Sequence, residues 1–146
     1  MKDFAIEHYS DQCKIDDLWD FIEDNLSLKG FPSPAFWITK RALELRRKNN
    51  EILLAMIDNK MIGCIVLNRS LIEILCIKRR YRKRGIGNKL VRYAEELLKK
   101  DARRKYLRVD SFKPFKAKNF YDKMGFETYN QSEYCDTWHF RRKLNE

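Results

Sequence analysis

The chain has 146 residues, of which 44% are hydrophobic and 36% are charged, and its formal net charge at pH 7 is +10. This length suits one domain over residues 1–146 with a sizeable core, and the absence of any run of about 18 apolar residues excludes a membrane span. The four cysteines show no C-x-x-C spacing. This argues against a disulfide framework or a metal site and favours a cytoplasmic protein, as does the lack of an apolar signal-peptide core.

The first half of the chain predicts an α/β domain that begins with a strand and two helices and continues into three antiparallel strands. Asp58-Asn59-Lys60 separates two apolar runs and has the chemistry of a hairpin turn. Two prolines and a glycine within 28–34 break the helical pattern between the two helices. The predicted elements span residues 4–9, 15–26, 35 or 36–48, 51–57, 61–68 and 72–77.

The second half predicts a long amphipathic helix, with apolar positions from Ile86 to Leu98, and then a strand over 106–112. Because the long helix connects them, the strand over 106–112 should run parallel to the strand over 72–77. A short helix over 115–124 follows, with Gly125 as its C-cap. A hairpin of strands 127–129 and 134–143, turning at residues 130–132, ends the prediction.

The loop Arg82-Lys83-Arg84-Gly85-Ile86-Gly87 lies between the apolar strand and the start of the long helix. A helix start leaves backbone N–H groups without partners and favours anions. Two glycines let the backbone curl close to a ligand. The segment 78–105 holds 13 basic and 3 acidic residues, so it accounts for the whole net charge of +10. The pattern favours a phosphate-bearing ligand over a plain turn before a helix.

The spacing Arg82-x-x-Gly85-x-Gly87 resembles the acetyl-CoA signature of the GNAT superfamily of N-acyltransferases. A second block, from Ala117 to Phe126, is similar to the family pattern A-x-x-F-Y-x-x-x-G-F. The resemblance implies a GNAT-like α/β fold: a central, mostly antiparallel sheet with one splayed parallel strand pair, flanked by helices. It also implies transfer of an acetyl group from acetyl-CoA to a primary amine by direct attack, without a metal.

The resemblance implies backbone contacts with the cofactor. A bulge in the signature strand would free the main chain of Leu75 and Ile77 for pantetheine, and the Leu75 N–H would polarise the thioester carbonyl. The pyrophosphate would lie on the loop and the helix start. The cofactor-binding residues are then Leu75, Ile77, Arg82, Lys83, Arg84, Gly85, Ile86, Gly87 and Asn88.

Tyr121 matches the tyrosine that protonates the leaving thiolate in many relatives, and Glu73 is a candidate general base. By strand parity we expect Glu73, Leu75 and Ile77 to share a face, with Cys76 on the other. Asp110 or a water molecule is the rival base. Pro114 stands where many relatives have an asparagine that binds coenzyme A, so that contact is missing or moved to Ser111 or Asn119.

The acceptor stays open between an amine-bearing small molecule, a lysine side chain and a protein N-terminus. Phe31, Phe36 and Trp37 either line its site or pack helix against sheet. Two other functions remain: a basic module that binds nucleic acid or the ribosome, and a GNAT-like domain that senses acyl-CoA without catalysis. We expect no membrane partner, nucleic acid only as a secondary partner, and a monomer or homodimer.

Overall fold

The computed structural model describes residues 3–9, 14–26 and 38–144. Seven strands and four α-helices lie within these ranges, together with short 3-10 turns at 79–81 and 113–115. In chain order they are β1 (Ala5–His8), α1 (Ile15–Asn25), α2 (Lys40–Lys48), β2 (Ile52–Ile57), β3 (Lys60–Asn68), β4 (Leu71–Ile77), α3 (Ile86–Lys99), β5 (Tyr106–Phe112), α4 (Lys118–Lys123), β6 (Glu127–Thr128) and β7 (Thr137–Lys143).

The strands form one sheet in the order β1-β2-β3-β4-β5-β7-β6. Every neighbouring pair is antiparallel except β4 and β5, which are parallel. The predicted turn between β2 and β3 has positive φ at Asp58 (49°) and Asn59 (63°), as a type I′ hairpin requires. The predicted fold class, a mixed and mostly antiparallel sheet with one parallel pair, is confirmed.

Two apolar layers cover the sheet. On one face, Leu18 and Ile22 of α1 and Leu43 of α2 are fully buried against β2, β3 and β4. On the other face, α3 contributes Leu90 and Val91, and Tyr121 of α4 joins the same cluster. Both helical layers follow from apolar residues at a spacing of three or four, which the sequence shows. The sheet is therefore buried on both sides around β3 and β4.

The chain departs from the predicted boundaries at two places near its carboxyl end. The short helix begins at Lys118 rather than at residue 115, because Lys116 has a left-handed φ of 56° and ends the preceding 3-10 turn. β7 begins at Thr137 rather than at residue 134, and β6 ends at Thr128, so the connection is longer than the three residues predicted.

Three predicted substrate-lining candidates, Phe31, Phe36 and Trp37, lie outside the described residues, as does the predicted start of the second helix. Thr39 caps the described part of that helix, because its hydroxyl accepts a hydrogen bond from the Ala42 N–H at 3.1 Å. Among the residues described, no helix combines the length and the apolar character needed to cross a membrane.

Candidate active site

A cavity opens where β4 and β5 separate. The two strands pair only at Leu71 with Arg108 and at Ile72 with Val109, whereas β5 remains paired with β7 along its whole length. The cavity has a volume of about 1050 Å³ and extends from the start of α3 to the loop before β7. This volume is large for a ligand site and suits an elongated molecule.

A bulge in β4 lies beside this separation. Val66 of β3 pairs with Ile74 and Leu67 pairs with Ile72, so Glu73 is the extra residue in the ladder. Ile72 packs in the cluster under α3, but Ile74, two residues later, packs in the cluster under α1 and α2. The bulge therefore interrupts the alternation of faces along the strand.

The expectation that Glu73 shares a face with Leu75 and Ile77 is wrong for this reason. Leu75 and Ile77 pack against the cluster under α3. The Glu73 carboxylate instead accepts two hydrogen bonds from Arg46 of α2, from Nε at 3.3 Å and from Nη2 at 3.1 Å. Cys76 is buried on the α1 and α2 side as well, so the prediction that it lies opposite Glu73 is also wrong.

The hydrogen-bond pattern of β3 and β4 decides which main-chain groups of β4 face the cavity. The Lys78 N–H donates to the Ile62 oxygen at 2.8 Å, and Cys76 and Ile74 pair with β3 in the same register. Hydrogen-bonded pairs alternate along an antiparallel ladder. The N–H and C=O groups of Leu75 and Ile77 therefore point away from β3, into the gap left by β5.

The basic loop curls through two left-handed residues, Lys83 with φ of 62° and Gly85 with φ of 83°. Gly85 is the N-cap of α3 and offers no side-chain cap, and the first intrahelical bond runs from the Lys89 N–H to the Gly85 oxygen at 3.1 Å. The amides of Ile86, Gly87 and Asn88 thus have no partner within α3. All three residues line the cavity, so its end near α3 is suited to an anion.

Glycine suits the two motif positions for different reasons. A Cβ at Gly85 would meet no atom within 4 Å, so only its left-handed φ disfavours other residues there. A Cβ at Gly87 would lie 3.4 Å from the Phe120 ring, at the lower edge of ordinary van der Waals contact. Gly87 therefore allows α3 and α4 to approach each other at the cavity wall, and sequence reasoning did not identify Phe120 as its neighbour.

Arg82 and Arg84, both predicted to bind cofactor, have different surroundings. Arg82 lines the cavity, but its guanidinium is used within the protein: Nε donates to the Ile77 oxygen at 3.1 Å and Nη2 donates to the Asn25 oxygen of α1. Arg84 does not line the cavity, and its guanidinium lies 5.6 Å from the centre of the Tyr81 ring. Lys83 lines the cavity.

The positive charge of segment 78–105 is only partly neutralised by ion pairs. At the far end of α3, Lys99 pairs with Glu95 and Glu96, and Arg103 pairs with Asp101. Around the basic loop and the start of α3, five cations form no ion pair with any residue that the structure describes. They are Lys78, Arg80, Lys83, Arg84 and Lys89, and of these five Lys83 lines the cavity. Unpaired positive charge thus lies beside the uncapped helix start.

Tyr121 projects from α4 and is 4% exposed, among the rings of Phe120, Phe126 and Phe140. It lines the cavity, and its hydroxyl has no hydrogen-bond partner among the residues described. Burial raises the pKa of Tyr121 well above that of a free tyrosine. The side chain is therefore a protonated hydroxyl at neutral pH, available to a ligand in the cavity.

Pro114 lies in the 3-10 turn after β5. Of the two residues proposed to replace the family asparagine, Ser111 lines the cavity and Asn119 does not. The geometry therefore favours Ser111.

Asp110 also lines the cavity, and its Oδ1 atom lies 2.9 Å from Nδ1 of His139 across the β5–β7 ladder. The sequence does not predict this contact, because only the pairing of β5 with β7 brings together two residues that are 29 positions apart.

The comparisons with known proteins identify the family of the chain. The model of the acetyltransferase (GNAT) domain matches residues 29–140, most of the chain. This chain belongs to the GNAT acetyltransferase family. The family prediction made from the two motifs is thereby confirmed. No curated protein matches the sequence of this GNAT domain. The individual relatives described next are therefore similar in structure.

Solved structures with the same fold are similar over nearly the full length. The PaiA N-acetyltransferase of Thermoplasma acidophilum, in complex with coenzyme A, is 21% identical with a TM-score of 0.77, and covers 97% of this chain and 99% of its own. A GNAT acetyltransferase of Staphylococcus aureus Mu50 is 17% identical with a TM-score of 0.76, and the match covers 98% of this chain and 100% of that protein. Arabidopsis thaliana Naa50 with the bisubstrate analogue CoA-Ac-MVNAL is 18% identical with a TM-score of 0.72, and the match covers 95% of this chain and 97% of that protein.

In the part of the chain that the structure describes, no group of three or more His, Cys, Asp or Glu side chains could hold a metal ion.

Proposed function

We propose that the cavity between β4 and β5 binds acetyl-CoA and that the protein transfers the acetyl group to a primary amine. One observation carries the proposal: main-chain groups of β4, an uncapped helix start and the Lys83 side chain all line one large cavity. A cofactor with a peptide-like arm and three phosphates matches each part in turn. The structural relatives that contain coenzyme A or its analogue support the same ligand.

The pantetheine arm would pair with the main chain of Leu75 and Ile77 as an added strand. The pyrophosphate would accept hydrogen bonds from the amides between Lys83 and Asn88. Arg82 would act by holding the loop against Ile77 and α1 rather than by binding phosphate itself. The cations around the loop that have no acidic partner among the described residues would attract the phosphates at long range.

Chemistry would proceed by direct attack of the amine on the thioester carbonyl. The Leu75 N–H would stabilise the developing oxyanion, and Tyr121 would protonate the departing thiolate. The choice of general base shifts away from Glu73, because Arg46 already holds both of its carboxylate oxygens. We propose that Glu73 anchors the bulge. We also propose that Asp110 acts as the base through His139, whose imidazole takes the proton while Asp110 holds its Nδ1.

Thermal denaturation with acetyl-CoA and with dephospho-CoA tests the binding step. At about 100 times its dissociation constant, acetyl-CoA should stabilise the fold by roughly 2.7 kcal/mol through mass action. Dephospho-CoA should stabilise it less at the same concentration, because it lacks one phosphate that the cations attract. A folded sample that shows no shift with any acyl-CoA would overturn the proposed function.

A further inference from the structure

A nucleophile lies in the wall of the same cavity. The Cys135 Sγ atom is 3.7 Å from Nε2 of His139, and the other imidazole nitrogen, Nδ1, is 2.9 Å from Oδ1 of Asp110. All three residues line the cavity. A thiol, an imidazole and a carboxylate bonded in this order form the arrangement that activates a nucleophile in many acyl-transfer sites.

Two parts of the fold hold the three side chains in place: the pairing of β5 with β7 and the hydrogen bonds of the loop before β7. Asp110 and His139 are paired directly across β5 and β7, so their side chains lie on the same face. The Gln131 side chain accepts from the His139 N–H at 3.0 Å and donates to the Thr137 oxygen at 3.0 Å. The Cys135 N–H donates to the Ser132 oxygen at 3.1 Å, which holds the thiol in the turn before β7.

The hydrogen bonds also determine the tautomer of His139. An ionised Asp110 can only accept, so Nδ1 carries the proton and Nε2 is left as the acceptor for the Cys135 thiol. Cys135 is partly exposed to the cavity, whereas Cys64 and Cys76 are fully buried. The hydrogen bond with Cys76, together with burial, raises the pKa of Cys64. Of these three thiols, the geometry thus favours Cys135 alone for reaction.

The thiol and Tyr121 lie on opposite sides of the gap. Val109 and Phe140, the chain neighbours of Asp110 and His139, pack in the cluster that contains Tyr121. Because side chains alternate along a strand, Asp110 and His139 face the α1 and α2 side of the sheet. An acyl group bound at the gap would have its proton donor, Tyr121, on one side and the Cys135–His139–Asp110 group on the other. The side opposite the proton donor is the one from which a nucleophile must attack.

We infer that Cys135 is itself an acceptor for the acetyl group. His139 Nε2 takes the thiol proton, Cys135 Sγ attacks the thioester carbon, and the carbon–sulfur bond to coenzyme A breaks. The departing thiolate receives its proton from Tyr121. The imidazolium then releases the thiol proton to solvent and Tyr121 regains a proton from solvent, so the proton count is unchanged. The products are S-acetyl-Cys135 and free coenzyme A, so one thioester replaces another and no oxidant or reductant is needed. The inference rests on the proposed acetyl-CoA site.

Intact-protein mass spectrometry after incubation with acetyl-CoA, without any amine, is the direct test. We expect one added acetyl group per chain, located at Cys135 by peptide mapping and removed by neutral hydroxylamine, which cleaves thioesters and leaves amides. One equivalent of coenzyme A should be released in the same phase. Cys135→Ala should abolish the adduct, and Cys64→Ala serves as the matched control that keeps it.

Two further variants test whether His139 and Asp110 activate the Cys135 thiol or whether the thiol reacts only because it is exposed. His139→Gln and Asp110→Asn should slow acetylation of Cys135 by on the order of 10²-fold, the low end for a positioned base. Iodoacetamide at neutral pH should also alkylate Cys135 more slowly in both variants, in the absence of acetyl-CoA. Equal rates in the parent protein and His139→Gln would overturn the inference, as would stabilisation by acetyl-CoA without any adduct at Cys135.

A small thioester without phosphates, S-acetyl-N-acetylcysteamine, distinguishes failure of this inference from failure of the proposed function. If acetyl-CoA gives no melting shift but the small thioester acetylates Cys135 in a His139-dependent manner, the thiol site stands and the phosphate site does not. If acetyl-CoA stabilises the fold and neither thioester acetylates Cys135, the proposed function stands and the thiol site does not.

Discussion

Tyr121 combines an apolar environment with a free polar end. Three aromatic rings surround it, with ring centroids 5.0 to 5.4 Å from its own, and its hydroxyl reaches the cavity without a partner among the described residues. Packing thus fixes the ring independently of the hydroxyl. A substitution that removes only the oxygen can therefore separate catalysis from stability.

We expect Tyr121→Phe to lower kcat and kcat/KM equally, by on the order of 10²-fold, because the lost interaction exists only in the transition state. Acetyl-CoA affinity should hold, since the phosphates and pantetheine bind elsewhere. Steady-state kinetics with the true acceptor, together with a melting curve, measure both effects. Full activity in this variant would leave protonation of the thiolate to water or to the substrate.

Tyr121 should also contribute to alkaline unfolding. Its pKa in the folded protein is raised by burial, whereas in the unfolded chain it is about 10. Below about pH 10 both states are protonated and the group has no effect; above it the unfolded state loses the proton first, and the free energy of unfolding falls. Tyr121 should contribute up to about 1.4 kcal/mol per pH unit to the slope, and Tyr121→Phe should lack this contribution. Denaturant titrations at alkaline pH compare the two proteins.

At the level of single residues, the sequence predicted Gly85, Gly87 and Tyr121 because each belongs to a motif with fixed spacing. Glu73 was assigned a wrong face because a bulge has no signal in a continuous apolar run, and one extra residue reverses the alternation. The Asp110–His139 contact depends on the register of two strands that no local pattern links.

At the level of elements, the Arg46–Glu73 ion pair connects α2 to the bulge of β4. Both side chains are partly buried, with exposures of 13% and 18%. We expect Glu73→Gln and Arg46→Gln each to lower stability by about 2 kcal/mol, because each leaves a partly buried charge without its partner. The double variant should lose less than the sum of the two. Chemical denaturation of the four proteins completes the cycle.

The same pair of variants tests the role of Glu73 in catalysis. If Glu73 only anchors the bulge, Arg46→Gln and Glu73→Gln should reduce kcat to a similar and modest extent. If Glu73 is the general base, Glu73→Gln alone should lose 10²-fold or more. The contrast between the two values decides between these roles.

The start of α3 should bind phosphate through its backbone, so a negative charge there should oppose the ligand. Gly85→Glu and Gly85→Gln share the same size and the same left-handed backbone cost, about 1–2 kcal/mol. We expect equal losses of stability, but acetyl-CoA binding should be abolished only by Gly85→Glu. Isothermal titration measures both affinities. Similar binding by the two variants would mean that the loop does not hold the phosphates.

At the level of the whole molecule, the net charge of +10 arises within segment 78–105, and five cations around the start of α3 have no acidic partner among the described residues. A nucleic acid would be attracted to the same unpaired cations as a phosphorylated cofactor. The two ligands should therefore compete, and their binding should respond differently to salt.

We expect binding to duplex DNA or structured RNA to lack sequence preference, to collapse between about 50 and 200 mM salt, and to be displaced by acetyl-CoA. Fluorescence anisotropy with labelled duplexes of different sequence measures this. Tight and sequence-selective binding at about 150 mM salt would favour the nucleic-acid module instead.

The overall architecture was largely predictable because its long elements carry strong periodicity and the parallel pair follows from a helical connection. The end of the chain was predicted less well. Residues 134–136 alternate like a strand, but the backbone turns there through hydrogen bonds of Gln131 and Ser132, which are contacts of one loop rather than a pattern. That loop is what places Cys135 beside His139.

The position of β7 has a consequence for synthesis on the ribosome. β7 is the last of the described strands in sequence, yet it lies between β5 and β6 and bonds to both. Until β7 emerges, β6 has no partner and the outer edge of β5 is an unprotected template for another chain. At about 5–20 residues per second, the 31 residues from the end of β5 to the end of β7 take roughly 1.5 to 6 seconds to synthesise. A nascent chain stalled before residue 137 would thus expose the half-built site as its most aggregation-prone edge.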